Sequence, residues 1–235
     1  MKKRGYTMHE GHRDRVKKRF RQEGLDHFSD IQALELLLFY GIPRVDTNPI
    51  AHALLDHFGS LSQVLEASPE ELMKVPGVGE NAALLLTLIP QMGRFYMVDR
   101  SSCVTILQTL EQCADFLVPH FFGRKVETVF ILCLDAKCKL LCCKELGEGG
   151  PNSTGVSIRK IVETAIGVNA ATVVLAHNHP SGLAVPSAED IQTTRRIAHA
   201  LQAVEITLAD HIIVADGDYV SIAMSDDRFR DCLLI

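Results

Sequence analysis

The chain has 235 residues, 47% hydrophobic and 23% charged, with a formal net charge of -5. This is ordinary globular composition, with enough apolar material for one small and one medium domain without disulfides. It excludes a uniformly basic nucleic-acid binder, and no apolar run reaches the roughly 18 residues of a membrane span.

The basic residues are unevenly placed. Up to Arg21, Lys2, Lys3, Arg4, Arg13, Arg15, Lys17, Lys18, Arg19 and Arg21 face only Glu10 and Asp14. Such an arm is either a solvated helix face or a phosphate contact, and the second reading needs another nucleic-acid feature beside it.

In chain order, residues 9–24 read as a basic helix ending at Gly24. A second helix spans Phe28 to Tyr40, with Ser29 as its cap. Thr47 or Asn48 caps a third, with Pro49 in its first turn and a stop at Gly59. A short helix covers Ser60 to Ala67. Ser68, Pro69 and Glu71 start another through a capping box. Val75-Pro76-Gly77-Val78-Gly79 then leads into a long apolar helix from Asn81 to about Met97.

The stretch from Met73 to Leu86 resembles a helix-hairpin-helix unit. Glycine lets a backbone approach a phosphate, and the N–H groups at the next helix start face it. Pro76, Gly77 and Gly79 are therefore candidate nucleic-acid contacts. The alternative is a helix–helix corner that binds nothing. Glu80 and Asn81 favour it, since no basic residue follows before Arg94.

Asp99 to Ser102 breaks the helical pattern. The expected organisation is an all-α domain at 1–98 with its basic arm at 1–21, a linker at 99–103, and an α/β domain at 104–235. Thr105 to Leu117 reads as a helix, Val126 to Leu134 and Cys138 to Leu146 as a hairpin, Gly147 to Gly155 as a loop, and Val156 to Gly167 as a helix. Ala171 to Ala176 is a continuous apolar run, the mark of a central strand buried on both faces. Ser187 to Val204 is a helix, Ile206 to Val214 a strand, and Tyr219 to Ala223 a last short strand. Alternating helices and strands with two hairpins indicate a layered α/β domain with a mixed sheet.

The cysteines are Cys103, Cys113, Cys133, Cys138, Cys142, Cys143 and Cys232. Their number is odd, no Cys-x-x-Cys occurs, and no apolar leader follows Lys2 to Arg4. They read as reduced thiols in a cytoplasmic protein.

The chemistry concentrates at Ala176 to Asp190. His177 and His179 are two apart at a strand end, so both imidazoles point to one side. Pro180-Ser181-Gly182 turns the chain, and Asp190 falls on the first turn of the next helix. Two imidazoles and one carboxylate are the three protein ligands of a catalytic zinc site, with a fourth position left for water. Ser187 and Asp190 also have capping-box spacing, and a cap that holds the aspartate still is compatible with ligation. Such a site needs a proton shuttle. Glu127, Asp135, Glu145, Glu148 and Glu163 are candidates that spacing alone does not separate.

His177-Asn178-His179-Pro180 with Ser187 and Asp190 resembles the JAMM (MPN-plus) metalloprotease motif. That motif is His-x-His, seven residues beginning with proline, Ser, two residues and Asp. The longer string from His177 to Gly182, the Ala209-Asp210-His211-Ile212-Ile213-Val214 segment, Gly217 and Tyr219-Val220-Ser221 are similar to the RadC family of bacterial proteins. So are Leu34 to Leu38, Phe58-Gly59-Ser60-Leu61 and Val75 to Gly79. The likeness extends from about residue 12 to 223.

The resemblance implies Zn2+ held by His177, His179 and Asp190, a water-activating glutamate at Glu127, and Ser187 at the oxyanion. It implies amide or isopeptide hydrolysis of a protein or peptide; the lack of a long apolar run leads to the separate expectation of no membrane partner. Where relatives have His-Pro-Arg-Glu, this chain has Ser157-Ile158-Arg159-Lys160, and Glu148-Gly149-Gly150 replaces an Arg-Gly-Thr segment. Both put substrate preference in question more than metal chemistry. Asn178 stands where the proteases have Ser or Thr. The other function class is a DNA-associated repair factor acting mainly through the helix-hairpin-helix domain. A zinc deaminase is excluded, because His-x-Glu with Pro-Cys-x-x-Cys is lacking.

Overall fold

Serines start three of the N-terminal helices. In the computed structural model, which describes residues 8–101, 106–149, 151, 156–180 and 182–225, α1 spans Met8–Glu23, α2 Asp30–Gly41, α3 Asn48–Phe58, α4 Leu61–Glu66 and α5 Pro69–Leu72. Ser29 and Ser68 close full capping boxes with Gln32 and Glu71, and Ser60 accepts from the Gln63 amide. Each such cap stabilises its helix by about 1 kcal/mol. The sixth helix, α6, runs Glu80–Ser101, four residues beyond the expected end at Met97. Lys2, Lys3 and Arg4 of the basic arm, Cys103, Cys232, Ser181 and loop residues 152–155 lie outside the described residues.

By its contacts the chain divides into two compact units, Met1–Met92 and Gly93–Ile235, and the break falls inside α6. The regular structure among the described residues of the first unit is all helical. Leu34 and Leu38 of α2, Ile50 and Leu54 of α3, Val64 of α4, and Val75, Val78, Ala82 and Leu86 form one buried core. Part of the basic arm is structural. Arg13 donates to Phe39 O at 3.3 Å and Ile42 O at 2.7 Å, at the carbonyl-rich end of α2, and stacks over the Phe39 ring. Cations are favoured at that end of a helix. Arg19 donates to His27 O at 2.6 Å and Gln32 Oε1 at 3.2 Å. Arg15, Lys18 and Arg21 are exposed.

The second unit is built on a five-stranded mixed sheet. After α7 (Leu110–Leu117) come β1 (Thr128–Leu134), β2 (Leu140–Glu148), α8 (Ile158–Gly167), β3 (Thr172–Asn178), α9 (Ala188–Gln202), β4 (Thr207–Ala215), β5 (Asp218–Ser221) and α10 (Ile222–Ser225). The sheet order is β2-β1-β3-β4-β5. Among the described strands only β3 and β4 are parallel, and α9 supplies the crossover that a parallel pair needs. On one face, α7 packs Cys113, Phe116 and Leu117 against Phe130, Leu132, Val174 and Ile212. On the other, α8 and α9 pack Ile161, Ala165, Ile197 and Leu201 against Val129, Ile131, Val173, Leu175 and Ile213. This is the expected layered α/β arrangement, with β3 central and buried.

Several expected ends differ, and β2 runs Leu140–Glu148 in place of the expected strand from Cys138 to Leu146. The helix expected from Thr105 begins at Leu110, because Thr109 forms a capping box with Gln112. Ile106 instead bridges Lys139, and the Leu107 amide donates to Cys138 O at 2.8 Å. The last strand stops at Ser221. The Ser221 hydroxyl accepts from the Met224 amide at 3.1 Å and Asp210 Oδ1 from the Ala223 amide at 3.0 Å, which turns the chain into α10.

Burial raises the thiol pKa values of Cys113 to about 11 and Cys143 to about 12, so these cysteines are protonated, apolar core groups. Among the described residues, no helix is long and apolar enough to cross a membrane.

Gly77 has φ +91°, and a Cβ there would lie 2.8 Å from Ile50 Cδ1. Gly77→Ala therefore adds backbone strain and a clash with the core, and is expected to destabilise the first unit by about 1–3 kcal/mol. Urea denaturation followed by circular dichroism measures this. Gly79→Ala, with open space at its Cβ position, is expected to cost less.

Candidate metal centre

His177 occupies the last turn of the pleat in β3 and lies on the same face as Val173 and Leu175. That face looks towards α9, whose first turn carries Asp190. His179 follows the strand end, and its amide continues the ladder by donating to Val214 O at 2.8 Å. The two imidazoles therefore converge, with Nε2 atoms 2.9 Å apart. Asp190 approaches from the helix: Oδ1 lies 3.3 Å from His177 Nε2 and Oδ2 3.6 Å from His179 Nε2. Glu127, immediately before β1, comes from the neighbouring strand, with Oε1 3.7 Å from His177 Nε2. The register explains its place, since antiparallel β1 sets Val129 opposite His177. Glu127, His177 and His179 form a candidate metal-binding group whose donor atoms all lie within 4.8 Å of one another.

The donor set fits a cation on its own chemistry. His179 Nδ1 faces Leu183 O at 3.1 Å, an oxygen that only accepts. Its proton is therefore on Nδ1, and Nε2 presents a lone pair. That lone pair meets the Nε2 of His177 and carboxylate oxygens of Asp190, all buried or half-buried. Acceptors crowded together without a hydrogen or a metal between them repel, and burial removes the water that would screen them.

Burial pushes the Asp190 carboxyl towards neutrality. The nearby His177 imidazole and donation from the Ser187 amide and hydroxyl outweigh that effect and hold its pKa well below the usual carboxylate range. The carboxylate is thus charged and ready to bind a cation. Ser187 is the N-cap of α9. Its amide and hydroxyl both donate to Asp190 Oδ2, at 2.9 and 2.6 Å, and its Oγ accepts from the Asp190 amide at 3.1 Å. The hydroxyl hydrogen is engaged by Asp190, so an oxyanion role requires it to turn away.

Asn178, between the histidines, points to the opposite side. Its Oδ1 accepts from the Thr128 amide at 2.8 Å, and its Nδ2 donates to Val126 O at 3.3 Å. The amide side chain thereby clamps the backbone on both sides of Glu127. A flipped amide would set donor against donor at Thr128, so the orientation is fixed. Asp135 is the anchor of the β1–β2 turn, accepting from the Lys137 and Lys139 amides. Glu145 pairs with Arg124 and Glu163 with Arg159. Of the five candidate shuttles, Glu127 is the one within the group. Arg159 and Lys160 belong to α8, Arg159 in its exposed pair with Glu163.

In the first unit, Pro76, Gly77 and Gly79 are exposed, while Val75 and Val78 anchor their turn in the core. Glu80 opens α6, so the first charge after the turn is negative.

A model of the RadC-like JAB domain matches residues 107–227, and one of the UPF0758 N-terminal region matches residues 9–84. The chain belongs to the RadC family. It is 32% identical to a UPF0758 protein of Paraburkholderia xenovorans, over 89% of this chain and 83% of that one. It is 33% identical to a UPF0758 protein of Fusobacterium nucleatum, over 90% of this chain and 94% of that one. Both units therefore have counterparts in RadC relatives.

Reading by motif missed three residues of this RadC site. Asn178 was noted only for its identity. His211 and Thr194 complete the surroundings of His177 and Asp190, with His177 Nδ1 2.8 Å from His211 Nε2. The available signals were a histidine inside an apolar strand and a threonine one turn after Asp190.

Asn178→Ala leaves the buried Thr128 amide without its acceptor, at a cost of about 1–3 kcal/mol. Amide hydrogen exchange is the measurement: Thr128 is expected to exchange faster in the variant, while amides in the middle of β3 keep their protection.

Proposed function

We propose that this chain is a zinc-dependent metallohydrolase that cuts an amide or isopeptide bond in a protein or peptide. The observation that carries this reading is the approach of His177 and His179 Nε2 to 2.9 Å beside the Asp190 carboxyl, with Glu127 just before the neighbouring strand. The RadC-like JAB domain match over the same residues supports the assignment.

In this reading His177, His179 and Asp190 hold the ion. Bound there, Zn2+ supplies Lewis acidity and lowers the pKa of water to about 7. Two nitrogens and a carboxylate suit zinc, and a soft-metal site would recruit thiols, whereas the candidate metal-binding group contains none. Glu127 is one-third exposed, so it reaches solvent and the site together. It takes a proton from the attacking water and returns it to the leaving amine. Asn178 holds Glu127 at that place through the backbone. Ser187 donates to the oxyanion once its hydroxyl turns from Asp190.

Metal analysis tests the ligand set. Purified protein is expected to contain about one Zn2+ per chain, and His177→Ala and Asp190→Ala to lose it. Unchanged metal content in those variants removes the reading. Glu127→Gln is expected to keep its metal and lose about 10²-fold or more in hydrolysis of a fluorogenic peptide and isopeptide library. Full activity in that variant would remove Glu127 as the base.

A further inference from the structure

His177 does not stand alone in the interior. Its Nδ1 lies 2.8 Å from His211 Nε2, and His211 Nδ1 lies 2.6 Å from Thr194 Oγ1. Thr194 Oγ1 lies 2.6 Å from Asp190 O. His177, His211 and Thr194 are all 0% exposed, so bulk solvent does not reach these partners. The elements responsible are β3, β4 and α9. The chain of contacts starts on one proposed metal ligand and ends on the backbone of another.

The direction of every hydrogen in this chain follows from its last member. Asp190 O is a carbonyl and only accepts, so the Thr194 hydroxyl donates to it. A hydroxyl has one hydrogen, and at 2.6 Å the two oxygens would repel without it. Thr194 Oγ1 therefore accepts from His211, which places the His211 proton on Nδ1. His211 Nε2 is then a lone pair. The lone pair accepts from His177 Nδ1–H, and His177 is left with Nε2 free to face His179 and Asp190.

We infer that Thr194 and His211 are positioning residues that lock His177 in the tautomer whose Nε2 lone pair binds the metal. The inference rests on the zinc reading for its purpose, and on hydrogen-bond direction alone for its content. His179 reaches the same tautomer through Leu183 O. The two imidazoles are thus set by different means, one by a loop carbonyl and the other by a buried relay. Without the Thr194 acceptor, His211 gains by moving its proton to Nε2. It then donates to His177 Nδ1, and the His177 proton moves to Nε2, where it blocks the ion.

Two measurements test the lock. Long-range 1H–15N spectra of histidine-labelled, metal-free wild type, at mildly alkaline pH, are expected to show His177 and His211 protonated on Nδ1. His177 protonated on Nε2 overturns the inference, whether or not the protein binds metal. The second measurement is Zn2+ affinity by competition with a chromogenic chelator, with folding confirmed by circular dichroism. Thr194→Val is expected to bind about 10–100-fold more weakly than wild type, and Thr194→Ser to return within a few-fold of it. Equal affinity in wild type and Thr194→Val overturns the positioning role. Wild type that binds no Zn2+ overturns the zinc reading instead, and the spectra of the metal-free protein still decide the tautomer. If Thr194→Val does not fold, the same wild-type spectra decide it.

Discussion

The α/β unit depends on one constraint, the convergence of hydrogen-bond acceptors at the end of its central strand. His177 and His179 Nε2 stand 2.9 Å apart, beside the Asp190 carboxylate and one-third exposed Glu127. A fold selected for stability alone would place apolar side chains there, because gathering buried acceptors costs free energy. The surrounding elements accept that cost and fix it in place. Ser187 caps α9 and restrains Asp190, Leu183 O orients His179, and Asn178 clamps the strand beside Glu127.

The sheet topology makes the convergence geometrically available. Among the described strands one pair is parallel, β3 with β4, and the connection between them is α9. Helix α9 therefore starts near the end of β3, so a capped aspartate on its first turn meets histidines at the strand terminus. Antiparallel β1 begins where β3 ends, which brings a residue just before it to the same spot. Three segments separated by up to 63 positions in sequence, from Glu127 to Asp190, become neighbours without a long loop crossing the sheet.

Much of this was legible in the sequence because the signals were local. The i, i+2 histidines on a strand and the Ser187–Asp190 box are short-range patterns with direct geometric meaning. Helix starts at Ser29, Ser60 and Ser68 were equally plain. Glu127 was not separable from four other carboxylates by spacing, since its proximity depends on strand register. The relay of His211 and Thr194 was hidden for the same reason: a histidine in an apolar strand looks like core until the neighbouring strand and helix are known. The start of α7 failed through a different cause. Residues 106–107 carry apolar side chains compatible with a helix, and only their pairing with the β1–β2 turn shows otherwise. At β5, the apolar run continued while the Ser221 and Asp210 caps ended the strand.

The central claim is that a cation is held by imidazole and carboxylate and by no thiol, in a chain with seven cysteines. X-ray absorption at the zinc edge of the metal-loaded protein addresses it most directly. The account predicts nitrogen and oxygen neighbours at about 2.0–2.2 Å, with the outer-shell pattern of imidazole. A sulfur neighbour at about 2.3 Å, or a first shell without imidazole scattering, would contradict it.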